Sequence, residues 1–214
     1  MKFTMFEVKS IQLEQKISNE NEIKLLFNTE STFPCLFPLL FSLRVIRFQS
    51  LSTQYSDLMA LKDWYIFWYK KYSISFCEFF YSSNYNFELT YKEIDNFIIY
   101  LENNNDLSDV TYLGGNRKVS YINISNKIRS FLKFYTYLMD DYLTVRKHPH
   151  LDRKEIEKIK SNIKKYIEIK KKIIRKSTKT IYGEKKYLFK SMTNLTILIL
   201  LIHLKIDQLN LGIS

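Results

Sequence analysis

Glycine and proline are scarce in this 214-residue chain, at 4 and 3 residues. Parallel α/β folds with glycine-rich loops and turn-dense β-sandwiches both need more of them, so long helices are favoured. Cysteine is nearly absent too: Cys35 and Cys77 show no CxxC spacing, which excludes a disulfide framework and suits a reduced compartment with two ordinary thiols. The strongest apolar run, residues 195–204, is ten residues long and too short to cross a bilayer. The opening MKFTMFEVKS has no charged segment leading into an apolar one, so no secretion signal is visible. A cytoplasmic protein is expected. Neither a metal-ligand cluster, a P-loop nor a Ser/His/Asp arrangement is present, so no cofactor, metal or small-molecule substrate is expected.

Aromatic residues are abundant, with 16 Tyr and 16 Phe, and hydrophobic residues make up 46%. Global disorder is therefore excluded on composition. The charge is strongly localised. Residues 146–190 hold 17 Lys or Arg against 5 Asp or Glu, a net +12, while the whole chain carries +11. One segment thus holds the whole excess, and a polyanion is its natural partner. Two blander readings stay open. One is a solvated helix enriched in Lys by an A/T-rich coding sequence; the other is an anionic membrane surface, which is the weakest of the three.

Periodicity divides the chain. Residues 1–33 alternate loosely and predict one or two weak strands; residues 33–51, with Pro34 and Pro38, predict an extended arm across a helical core. From Ser52 or Thr53 as N-cap, Leu58, Leu61, Tyr65, Trp68 and Tyr72 mark one helical face. Thr90 and Glu93 have capping-box spacing and open a second helix through Leu101. Residues 103–118 predict a polar loop that turns at Gly114 and Gly115. Ile124, Ile128, Phe131, Tyr135, Leu138 and Tyr142 define a third helix, and residues 152–174 a fourth with an isoleucine face opposite Lys and Glu. The expected fold is mainly α: a four-helix bundle with an irregular or weakly β N-terminal arm. The expected divisions are an arm at 1–50, a helical domain at 51–145, a basic helix and linker at 146–190, and an apolar tail at 191–214.

Certain stretches resemble the core-binding (SAM-like) domain of tyrosine recombinases, the phage-type integrases. Leu51-Ser52-Thr53-Gln54-Tyr55, followed by Trp64-Tyr65 and Trp68-Tyr69-Lys70-Lys71-Tyr72, is similar to that domain's first helix. Tyr91-Lys92-Glu93-Ile94-Asp95-Asn96-Phe97 is similar to the second. Ile128-Arg129-Ser130-Phe131, running on to Tyr135-Thr136-Tyr137-Leu138, resembles the family's helix in which Ile-Arg-Ser-Phe leads into a Tyr-x-Tyr-Leu run. The arm ending Arg44-Val45-Ile46-Arg47-Phe48 resembles a subgroup of these integrases. The resemblance covers about residues 34–190 and is a pattern of hydrophobic helices, less specific than a metal or nucleotide motif.

The resemblance implies DNA integration and recombination, with double-stranded DNA as partner and further recombinase protomers as possible companions. The family's strand-cleaving constellation of Arg, Lys, His-x-x-Arg and nucleophilic Tyr is not matched here. His150 and Arg153 fit the bare His-x-x-Arg spacing, but they stand just ahead of the charged helix, upstream of where a catalytic domain would begin. Tyr166, Tyr182 and Tyr187 read as packing or surface residues. Lys190-Ser191-Met192-Thr193 resembles the opening of the catalytic domain. The residues after Thr193 lose the helical pattern, as a frameshift or early stop would produce. The expectation is a truncated, non-enzymatic DNA-binding chain with no catalytic residue.

In the family this domain forms half of a C-shaped clamp on DNA. Lys118, Lys127, Arg129 and Lys133 are the first candidate DNA contacts; Lys164, Lys165, Lys171, Lys172 and Arg175 are the next. An ion-pair role for Arg129 stays open. Trp64, Trp68, Tyr135 and Tyr137 are of a kind that stacks on bases, but at helical spacing they are expected in the core. The alternative function is a helical protein-interaction module using the isoleucine-faced basic helix and the apolar tail.

Overall fold

The structure, a computed structural model, describes residues 5–13, 22–103 and 121–181; of Tyr121 and residues 173–181 it describes the backbone alone. The chain divides into two units, Met1–Lys171 and Lys172–Ser214. Of the second, residues 172–181 are described and are helical. The fold is mainly helical with a small N-terminal sheet, as the composition predicts.

Strands β1 (Phe6–Gln12) and β2 (Glu22–Asn28) pair antiparallel, from Phe6 opposite Asn28 to Gln12 opposite Glu22. The weak alternation of residues 1–33 is therefore a two-stranded ribbon. A pair of strands alone is marginal in water, and this one is held by the helices. The Phe6 ring meets Tyr65 edge-on at 5.4 Å, and the backbone N–H of Lys24 donates to Gln54 Oε1 at 3.0 Å.

Residues 33–51 are not the extended arm expected from two prolines. They form helix α1 (Leu36–Phe41) and a π-helical turn (Ser42–Ile46). Pro34 precedes the Cys35 N-cap and Pro38 occupies the first turn, where a backbone N–H would have had no intrahelical acceptor. Gln54 then closes the junction. It is buried, and its Nε2 donates to the carbonyls of Gln49 at 2.9 Å and Arg47 at 3.4 Å.

Helix α2 (Leu51–Tyr72) begins two or three residues earlier than Ser52 or Thr53 as N-cap would set it. Ser50 caps it, accepting from the Thr53 N–H at 3.3 Å. A short helix α3 (Phe76–Ser82), not anticipated, comes after a left-handed Ser73. Its signal was present as Ser75 three residues before Glu78, whose N–H donates to Ser75 Oγ at 3.1 Å. Helix α4 (Phe87–Glu102) starts ahead of Thr90, with Asn86 as cap. Thr90 is instead buried inside the helix, 3.0 Å from Tyr135 Oη. Helix α5 spans Tyr121–Tyr142 and helix α6 spans Arg153–Ile181, past the expected 174. The expected loop 103–118 lies outside the described residues from 104 on, as do Gly114 and Gly115.

The core is built on aromatic rings. Trp64 on α2 contacts Phe131 at 4.5 Å, Phe97 at 5.1 Å, Trp68 at 5.3 Å and Phe76 at 5.5 Å, joining α2, α3, α4 and α5 at one point. Trp64, Trp68, Tyr135 and Tyr137 are all buried. They pack the interior, as their helical spacing predicts, and offer no face for a base to stack on.

Candidate nucleic-acid interface

Helix α6 owes its start to a reciprocal cap. The Asp152 N–H donates to Glu155 Oε2 at 2.8 Å, and the Glu155 N–H donates to Asp152 Oδ1 at 2.7 Å. Ile156, Ile163 and Ile167 recur at steps of seven and four and are buried. At 3.6 residues per turn they form one stripe. Lys154, Lys158 and Lys165 fall within about 40° of one another on the opposite side, along roughly 17 Å of helix. All three are exposed, as are Lys164 and, seven residues after Lys165, Lys172. None of the five has an ion pair or side-chain hydrogen bond among the described residues.

Other lysines on α6 are engaged. Lys170, its side chain 12% exposed, pairs with Asp95 on α4, and its ammonium lies 5.0 Å from the Tyr166 ring centre. Tyr166 meets Tyr91 edge-on at 4.9 Å. These contacts seat the helix on α4. Near the end of α4, burial pushes the Glu102 carboxyl up to about 7, with the charge of Lys170 working against that rise. Lys171 pairs with Glu168 one turn back at 3.0 Å, a solvent-exposed contact of small energetic weight.

The candidate cations of α5 are arranged differently. Lys127 Nζ lies 2.6 Å from Asp63 Oδ2, and Lys133 Nζ lies 2.8 Å from Asp57 Oδ2, both carboxylates being on α2. Ser130 Oγ donates to the other oxygen of Asp57 at 2.6 Å. Asp57 and Asp63 are buried and need a positive partner there. Lys133 also lies 5.8 Å from the Phe41 ring centre. Arg129 alone among these candidates faces solvent without a partner among the described residues. The ion-pair role left open for it has no support in this geometry. Lys118 lies outside the described residues; Arg175 lies on α6, its side chain outside them.

Sequence reasoning missed two things here. Lys154 and Lys158 belong to the exposed stripe, and their spacing of four, followed by sevens to Lys165 and Lys172, was legible. Asp57 and Asp63 are the partners of the α5 lysines. Their signal was acidic residues interrupting the apolar face of α2. His150 and Arg153 are both exposed, and Tyr166 packs as expected; Tyr182 and Tyr187 lie outside the described residues. His148, buried beside His150 at a ring separation of 5.8 Å, is held below the ordinary histidine range by desolvation first and by the neighbouring His150 second. Among the described residues no cluster of three or more metal-ligating side chains occurs, and no helix is long and apolar enough to cross a membrane. Comparison of the chain with models of known protein families, with curated proteins and with solved structures gave no match.

Proposed function

We propose that this chain binds double-stranded DNA as the core-binding part of a tyrosine-recombinase-type integrase, in the cytoplasm, without itself cutting the strand. The observation that carries this is the lysine stripe on α6. Its ammonium groups are exposed and unpaired among the described residues, opposite a buried isoleucine stripe that fixes which way they face. Such an array neutralises phosphates and releases their counterions. Arg129 supplies a further outward cation, with a guanidinium suited to bidentate contact on phosphate or guanine. With the candidate stacking rings all in the core, affinity is expected to be electrostatic and weakly dependent on base sequence.

The interaction-module alternative loses part of its basis. The Ile156, Ile163 and Ile167 face it would use is already buried within this chain. The apolar tail it would also use lies outside the described residues.

Fluorescence-anisotropy titration of a duplex of about 30 base pairs at roughly 50 and 200 mM salt tests the proposal. Six phosphate contacts predict an affinity loss of about a thousandfold across that range. Absence of binding at the lower salt would leave the basic segment to some other partner. A DNA adduct surviving denaturation would overturn the non-cleaving part alone.

A further inference from the structure

The two edges of the N-terminal ribbon differ. One step beyond the facing pair of Phe6 and Asn28, the Thr29 N–H donates to the Met5 carbonyl at 2.9 Å. Hydrogen-bonded pairs alternate along an antiparallel ladder. Glu7, Lys9 and Ile11 therefore turn their backbone groups to β2, while Phe6, Val8 and Ser10 turn theirs outward. On β2 the outward groups are met. The Lys24 N–H donates to Gln54 Oε1 at 3.0 Å, the Leu26 carbonyl accepts from the Cys35 N–H at 2.8 Å, and the Asn28 N–H donates to the Phe33 carbonyl at 3.1 Å. On β1, nothing among the described residues meets the outward N–H and C=O groups of Phe6, Val8 and Ser10. An open row of this kind is a template for another strand.

We propose that β1 pairs antiparallel with β1 of a second copy of this chain, joining two ribbons into a four-stranded sheet across a two-fold axis at Val8. The charges select both the partner and the register. Glu7 and Lys9 are exposed on one face of the strand, 3.3 Å apart at their charged atoms. Outward residues must face outward residues, so the axis passes through a residue of the strand. Centred on Val8, it sets Glu7 opposite the second copy's Lys9, and Lys9 opposite its Glu7. Centred on Glu7 or on Lys9, it sets that residue opposite its own like charge. These are the non-hydrogen-bonded positions, where facing side chains come closest and like charges destabilise. In the Val8 register Phe6 faces Ser10 and Val8 faces Val8, and their backbones exchange roughly six hydrogen bonds, two for each facing pair. Because β2 is covered at Lys24, Leu26 and Asn28, the pairing closes at two copies and does not run on into a fibre.

This reading does not depend on DNA, and neither does its test. A single strand pair buries an area at the low end for specific interfaces, so a dimer that dissociates in the micromolar range is expected. Sedimentation equilibrium of the full-length chain, without DNA and across roughly 1–300 μM, should show the mass rise from monomer to dimer and stop there. Glu7→Lys should weaken the dimer about tenfold or more, since it sets like charges opposite at two positions, and Lys9→Glu should do the same. Glu7→Lys combined with Lys9→Glu should return affinity to within about threefold of the parent, because the facing charges are opposite again. Val8→Pro removes the outward N–H at the centre of the ladder and leaves the bonds to β2 in place. It should abolish the dimer with the circular dichroism spectrum unchanged. A monomer at every concentration would overturn the proposal and leave the edge to a strand of a different protein. A dimer that survives Val8→Pro, or that ignores the single charge reversals, would place association elsewhere and overturn it equally. So would a folded double reversal that stays as weak as the single ones.

Discussion

Helices α5 and α6 both carry lysines along an amphipathic repeat, but they use the charge in opposite ways. On α5, Lys127 and Lys133 turn to carboxylates on α2 that are themselves nearly excluded from water. On α6, Lys154, Lys158 and Lys165 project from the side opposite the isoleucine stripe, and they and the exposed Lys164 meet no acid among the described residues. Where a buried acid waits across the interface, a lysine is part of the fold. Where the facing side is solvent, the same residue type is available to a ligand. Helical position alone does not separate the two cases; the partner helix does.

The largest expected effect breaks the α6 side of this contrast. Lys158→Glu, Lys164→Glu and Lys165→Glu together should weaken duplex binding by a thousandfold or more at about 100 mM salt. Helicity and melting temperature should change little, since these side chains are exposed and unpaired. Anisotropy titration beside circular dichroism reads both quantities. A triple variant that still binds within tenfold of the parent would move the interface away from α6.

The α5 side is tested by a double-mutant cycle on Lys133 and Asp57. Lys133→Ala should cost roughly 1–3 kcal/mol of stability, because it leaves a buried carboxylate with Ser130 Oγ as its one remaining side-chain partner among the described residues. That range allows for the partial exposure of the lysine itself. Lys133→Ala combined with Asp57→Asn should recover part of the loss, and chemical denaturation gives the coupling. Duplex affinity of the folded variant should stay within about threefold of the parent. If affinity fell as far as in the α6 variant, the ion pair would have to open for DNA, and the contrast between the helices would fail.

How far this was legible beforehand varies with the kind of signal. Amphipathic repeats placed both ends of α5 and the start of α6 within a few residues, because both faces are long and consistent, whereas α6 runs seven residues past its expected end. Local chemistry misled at Thr90, where a spacing that suits a cap lies inside a helix already started at Asn86. Pro34 and Pro38 read as breakers, yet both occupy positions where a helix start tolerates them. The lysines of α5 could not be sorted from sequence, since their fate depends on Asp57 and Asp63, some seventy residues upstream. Those two acids on an apolar face were the available hint, because a buried carboxylate requires a cation from somewhere.

The seat of α6 sets a third test through pH. Glu102 lies near Lys170, and burial raises its carboxyl from 4.5 to about 7. A raised folded-state value means the folded form holds its proton where the unfolded form has released it. Its stabilising contribution is full below about 4.5 and is lost as pH rises through about 7. His148 carries the opposite sign: its lowered value makes stability fall as pH drops below the ordinary histidine range. Glu102→Gln should remove the first dependence and leave the second. The variant should therefore gain roughly 1–3 kcal/mol on the parent between pH 5 and pH 8. Parallel melting temperatures for the two proteins across that range would show that Glu102 ionises freely in the fold.

Arg129 gives the smallest effect and the finest discrimination, because it stands on α5 but faces outward like the lysines of α6. If orientation rather than helix membership decides which cations meet DNA, Arg129→Ala should behave as an α6 substitution. Affinity should fall about five- to tenfold near 100 mM salt, and the slope of log affinity against log salt should shrink by about one contact. Stability should stay within about 0.5 kcal/mol, as for other exposed surface changes. Arg129→Lys should restore most of the salt slope, since the charge returns, but not any bidentate contact that the guanidinium makes. An Arg129→Ala chain with unchanged slope and affinity would confine the interface to α6 and leave α5 wholly to the core.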